Sequence, residues 1–179
     1  MFKSFSVVLL LLALLSACAP TKPVLDYSDT YNFSSVRNYA LSSRDDMQDS
    51  EALISDMTRN RIELAIEAQM DARGYKNVSR DKADVFVAYY VITQERQQVT
   101  QTERPVYRCR YCAPVWASDV QVRQYSEGTL IIDIVDSKTG KAVWRGSTAG
   151  RIDPNAEMEA RKEQINKAVQ FVLSGFPPG

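Results

Sequence analysis

The run Val85-Phe86-Val87-Ala88-Tyr89-Tyr90-Val91-Ile92 is unbroken, apolar and rich in β-branched and aromatic side chains. Such a stretch fits a strand covered on both faces or lying centrally in a sheet, so the fold is built around it. Immediately after it, Gln94 to Arg104 turns polar, with Val99 its only aliphatic residue. That change of character predicts a strand projecting beyond the core, or an arm, rather than a core element. Further on, Leu130–Asp136 and Lys141–Thr148 read as a hairpin. Its three-residue loop is Lys138-Thr139-Gly140, with the glycine in the left-handed position of a bulged turn. The implied register opposes Asp133 to Arg145 and Val135 to Val143, and gathers Leu130, Ile132, Ile134 and Trp144 on the core face.

Around these strands the helical signals are simple. Tyr31 to Leu41 alternates as a first strand, although Ser34-Ser35 weakens it. Ser50 is a fair N-cap and Gly74 the expected residue after the last turn, so a helix is predicted over about 51–73. Leu53, Met57, Leu64 and Ala68 line one of its faces, flanked by Ile54, Ile62, Ile66 and Met70. Pro154 suits a first helical turn, and Met158, Ile165, Ala168, Val169 and Val172 form a second stripe, closed by Gly175 and Pro177-Pro178. The order is strand, helix, long strand, return strand, hairpin partner, helix. It predicts a single α+β domain: an antiparallel sheet of about four strands with two helices packed on one face.

Composition narrows the chemistry. The 22 Lys and Arg balance 22 Asp and Glu, so no global field draws the chain to nucleic acid. There is no histidine, which excludes Ser-His-Asp and Cys-His catalysis and removes the commonest metal ligand. No cofactor or metal is expected. Ser-Lys or paired-carboxylate enzymes need no histidine and stay open.

The N-terminus carries the address. Lys3 precedes the apolar stretch Val7 to Leu15, too short to cross a bilayer. Leu15-Ser16-Ala17-Cys18 then resembles the lipobox of bacterial lipoproteins: an aliphatic residue, two small ones and a cysteine. That resemblance implies cleavage before Cys18 and acylation of its sulfur and freed amine by fatty acids such as palmitate. Two or more chains hold a protein stably to a membrane. The chain then divides into a signal peptide (1–17), a lipidated tether (18–25) and a periplasmic α+β domain (26–179). Ala19 stands where many Gram-negative lipoproteins retained in the inner membrane have aspartate, so the expected address is the outer membrane.

The remaining landmarks are Asp26-Tyr27, Phe33-Ser34-Ser35-Val36-Arg37-Asn38-Tyr39-Ala40, Ala72-Arg73-Gly74-Tyr75 and Ala83-Asp84-Val85-Phe86-Val87. Gly128-Thr129-Leu130-Ile131-Ile132-Asp133-Ile134-Val135-Asp136, Val143-Trp144-Arg145-Gly146 and Phe176-Pro177-Pro178 follow them. In this order and spacing the chain resembles the bacterial lipoproteins of domain-of-unknown-function family 4136. The resemblance implies an envelope lipoprotein and brings no activity, cofactor or catalytic residue. The pair Cys109 and Cys112 stands out as a local elaboration.

With Cys18 taken by acylation, Cys109 and Cys112 are expected to form a disulfide in the oxidising envelope. Cys109-Arg110-Tyr111-Cys112 also has the spacing of a thioredoxin-like redox motif. That chemistry wants the first cysteine at a helix N-terminus, which Pro114 and the β-prone flanks disfavour. Metal capture would need two more soft ligands. Around the pair, Arg104, Tyr107, Arg108, Arg110, Tyr111 and Trp116 have the composition of a binding hot spot. The plainer alternative is a loop whose aromatics fold back on the domain. Asp133 opposite Arg145 reads as a cross-strand ion pair and Trp144 as core. The expected function is non-enzymatic: binding an envelope protein or glycan, or supporting assembly, from a lipid anchor in the membrane. The alternative is a periplasmic enzyme or a thiol-redox factor using Cys109 and Cys112.

Overall fold

The computed structural model describes residues 22–42, 54–111 and 113–178. Six strands form one sheet: β1 (Val24–Tyr27), β2 (Asn38–Leu41), β3 (Lys76–Asn77), β4 (Val85–Val106), β5 (Val115–Asp136) and β6 (Ala142–Ile152). The helices are α1 (Asp56–Ala72) and α2 (Met158–Leu173). Across the sheet the order is β1-β6-β5-β4-β2-β3. β2 runs parallel to both β3 and β4, and the other neighbours are antiparallel.

This corrects the expected antiparallel sheet of about four strands: the sheet is mixed and six-stranded. The physical reason is the crossover. Between β2 and β4 the chain passes through α1, long enough to carry it back and lay β4 parallel beside β2. Val24 and Leu25, expected in the tether, instead pair with Ser147 and Gly146 as the edge strand β1. The first predicted strand is shorter than read. Phe33–Ser35 is a 3-10 turn whose preceding Asn32 accepts from the Ser34 amide (3.2 Å), and only Asn38–Leu41 pairs.

α1 begins at Asp56, capped by the Ser55 hydroxyl accepting from the Thr58 amide at 3.3 Å. Ser50, Glu51 and Leu53 lie outside the described residues. The buried face of α1 is Ile62, Ala65, Ile66 and Met70, whereas Met57 and Leu64 are exposed, so the set read as flanking is the core set. With Val169, Val172, Leu173 and Phe176 it packs on Tyr39, Val85, Val87, Tyr89, Ile132, Ile134 and Trp144. Trp144 is core as expected and meets Phe176 edge-on, ring centroids 5.3 Å apart.

The β5–β6 hairpin turns through Gly140 at φ +66°, as expected. Asp133 opposes Arg145, but Val135 pairs with Ala142 rather than Val143, because a bulge interrupts the ladder between Ile134 and Val135. Val143 and Trp144 are both buried there.

Candidate functional site

β4 and β5 pair along their whole length, from Val85↔Asp136 to Val106↔Val115. β2 accompanies β4 only from Val85 to Val87, and β6 accompanies β5 only from Ser126 to Val135. Beyond Glu95 and Ser126 the sheet is therefore a two-stranded ribbon reaching roughly 35 Å at about 3.3 Å per residue. The polar run after Ile92 forms this projecting strand.

All the sequence-predicted contact residues fall at the ribbon's far end. Arg104 stands in β4 opposite Ala117, Trp116 in β5 opposite Pro105, and Tyr107, Arg108, Arg110 and Tyr111 in the turn between the strands. The aromatics do not fold back: Tyr107, Tyr111 and Trp116 are 64%, 92% and 63% exposed. Strand alternation puts Trp116 on the helix-side face with Val99, Val120 and Val122, all exposed, and Arg104 on the other. Cys109 lies in this turn and heads no helix; Cys112 and Cys18 lie outside the described residues.

The ribbon is fastened at its root. Arg96 meets Glu127 at 3.1 Å, the Arg151 guanidinium stacks 3.9 Å above the Tyr125 ring and also donates to Gln98, and Ser126 donates to Glu95 at 2.6 Å. Farther down, on the sheet face opposite the helices, Arg145 clamps Asp133 through Nε to Oδ1 (2.7 Å) and Nη2 to Oδ2 (2.6 Å). These hydrogen bonds, then the carboxylate's charge, raise the arginine's pKa above its ordinary value. Asp133 is a positioned ion-pair partner of Arg145, as expected.

Sequence reasoning missed a second site. On the helix-side face at the ribbon's root, a cleft of about 750 Å³ opens between the sheet, the first turns of α1 and one side of α2 from Arg161 to Phe171. Its floor includes the cross-strand row Thr93, Gly128 and Gly150, with Val91, Leu130 and Thr148 in the next row. Gly150 leaves the space beside it open, since a Cβ there would meet no atom within 4 Å, whereas the Ile152 side chain lies against Gly128, 2.8 Å from where its Cβ would stand. Ile62, Ile165 and Phe171 form apolar parts of the opposite wall, and Arg61, Arg161, Lys167 and Asp153 are its charged lining residues. Gln164 donates to the Arg151 carbonyl at 2.6 Å and ties α2 to the end of β6. The available signal was the glycine pair, but it needed β6 to run past Thr148.

A family model described as a domain of unknown function, DUF4136, matches residues 23–178. No curated protein matches the chain. A PDZ domain protein from Parabacteroides distasonis has a similar fold, with a TM-score of 0.54 and 13% identity. The match covers 88% of this chain and 37% of that one, so the chain spans little more than a third of that protein's length. A PelC dodecamer from Paraburkholderia phytofirmans gives a TM-score of 0.49 at 9% identity, over 86% of this chain and 94% of that one.

Proposed function

The chain belongs to the DUF4136 family, a domain of unknown function, and we propose that it works by binding. It is an outer-membrane lipoprotein, acylated at Cys18, whose periplasmic domain engages another envelope component through the far end of the β4–β5 ribbon. One observation carries this reading. The ribbon spends 22-residue strands on a surface whose distal half has no buried residue, and it ends in arginines and exposed aromatics. Tyrosine, tryptophan and arginine offer large contact area at a low cost in side-chain order. Neither Glu nor Asp occurs between Arg104 and Ser118, so the partner surface is anionic or aromatic-accepting.

A disulfide between Cys109 and Cys112 would hold the turn in its binding shape. Such a pair would be structural rather than redox, since a reactive thiolate wants a helix N-terminus and Cys109 heads none.

Crosslinking in intact envelopes tests the proposal. Arg108→Ala combined with Tyr111→Ala should leave stability within about 1 kcal/mol, as exposed substitutions usually do, while the crosslinked partner is lost. A folded double variant that keeps its partner would place the contact surface elsewhere.

A further inference from the structure

Among the described residues, the cleft at the ribbon's root combines an apolar lining with an excess of positive charge: Arg61, Arg161 and Lys167 line it against one acid, Asp153. Lys167 is already engaged by Glu163 at 2.6 Å, and Arg161 gives one Nη2 bond to the Pro154 carbonyl at 2.7 Å. A guanidinium has five N–H donors, so Arg161 keeps donors for a second acceptor, as does Arg61. The space lies within the roughly 300–1,000 Å³ usual for small-molecule sites. Apolar walls suit a hydrocarbon chain, and guanidinium groups suit the two oxygens of a carboxylate.

We propose that this cleft binds a single-chain anionic amphiphile, a long acyl chain ending in a carboxylate. Ile62, Leu130, Ile165 and Phe171 surround the chain, and Arg61 and Arg161 receive the carboxylate. Charge complementarity selects this occupant over a neutral apolar one. The site is separate from the ribbon's far end, and neither depends on the other.

Gly150 provides the decisive variant. Its backbone is ordinary strand and a Cβ there meets no atom within 4 Å, so a side chain at this position extends into the cleft. The probe is a long-chain fatty acid bearing a diazirine, irradiated with the full chain and mapped by mass spectrometry. Its methyl ester, with the same chain and no charge, is the comparison. Labelling should saturate and concentrate on peptides carrying Ile62, Ile165 and Phe171, and the ester should label about tenfold less, as loss of a charge-assisted pair implies. Gly150→Phe should abolish labelling at an unchanged melting temperature. Gly150→Leu repeats the test if the larger side chain lowers stability. Arg61→Gln with Arg161→Gln should bring the acid down to the level of the ester. Scattered or unsaturable labelling, or full labelling of a folded Gly150 variant, would overturn the proposal. Equal labelling by acid and ester would overturn it in favour of an uncharged occupant.

Discussion

At Gly140 the backbone sits at φ +66°, where a side chain with a Cβ is strained. Gly140→Val should therefore lower stability by about 1–2 kcal/mol, read as a fall in melting temperature. The same turn is stitched by Asp136, whose carboxylate accepts from the Thr139 hydroxyl (2.7 Å) and amide (2.9 Å). The Thr139 hydroxyl bond is the largest cause holding its pKa below the ordinary 3.8. A depressed carboxyl pKa contributes stability that is complete above the unfolded value and lost as pH falls through the folded one. Thermal melts of wild type and Asp136→Asn should thus differ at neutral pH, and the difference should begin to close only as pH falls below about 4. The clamp of Arg145 on Asp133 is worth less than its geometry suggests. Its arginine side chain is 54% exposed, where solvent screens the attraction.

Among the elements, the ribbon is the most separable. None of the described residues between 99 and 122 is buried, so their strands are held by ladder hydrogen bonds and exposed pairs alone. Replacing residues 99–122 by an Asn-Gly turn joining Gln98 to Arg123 should leave the domain folded, with stability changed by no more than about 1 kcal/mol. Calorimetry on the shortened chain checks this; a large loss would mean that the ribbon supports the core. Composition made this element legible, because apolar character stops near Ile92 while β-prone residues continue. The β5–β6 hairpin was equally plain from Gly140 and the alternation around it. The four-residue β1 was not: all its residues are exposed and show no period of two. The core face of α1 was misassigned because Leu64 and Met57 are as apolar as the residues truly buried, and only the packed sheet distinguishes them.

For the molecule as a whole, the two-helix α+β plan was readable, and the mixed topology was not. The strand–helix–strand order from Asn38 to Ile92 contains a parallel crossover, yet β2 is too short to announce its partner. The cleft escaped for a related reason. It exists only where Gly128 and Gly150 meet across two strands, a pairing set by tertiary register. Anchoring is the prediction that belongs at this scale. Cys18→Ser should abolish labelling by a fatty-acid analogue and shift the protein out of the membrane fraction; unchanged labelling would refute acylation at that residue.

The direction of β1 then acquires a geometric meaning. β1 enters the sheet beside Ser147 and runs toward Trp144, while β6 climbs the other way toward the ribbon. The chain before Val24 therefore leaves by the same end of the sheet as the ribbon. From Cys18 to Val24 it can stretch no more than about 20 Å, whereas the ribbon continues well beyond that. If Cys18 carries a lipid, as proposed, that reach is shorter than the ribbon, so a ribbon turned toward the bilayer would have to tilt rather than stand upright beneath it.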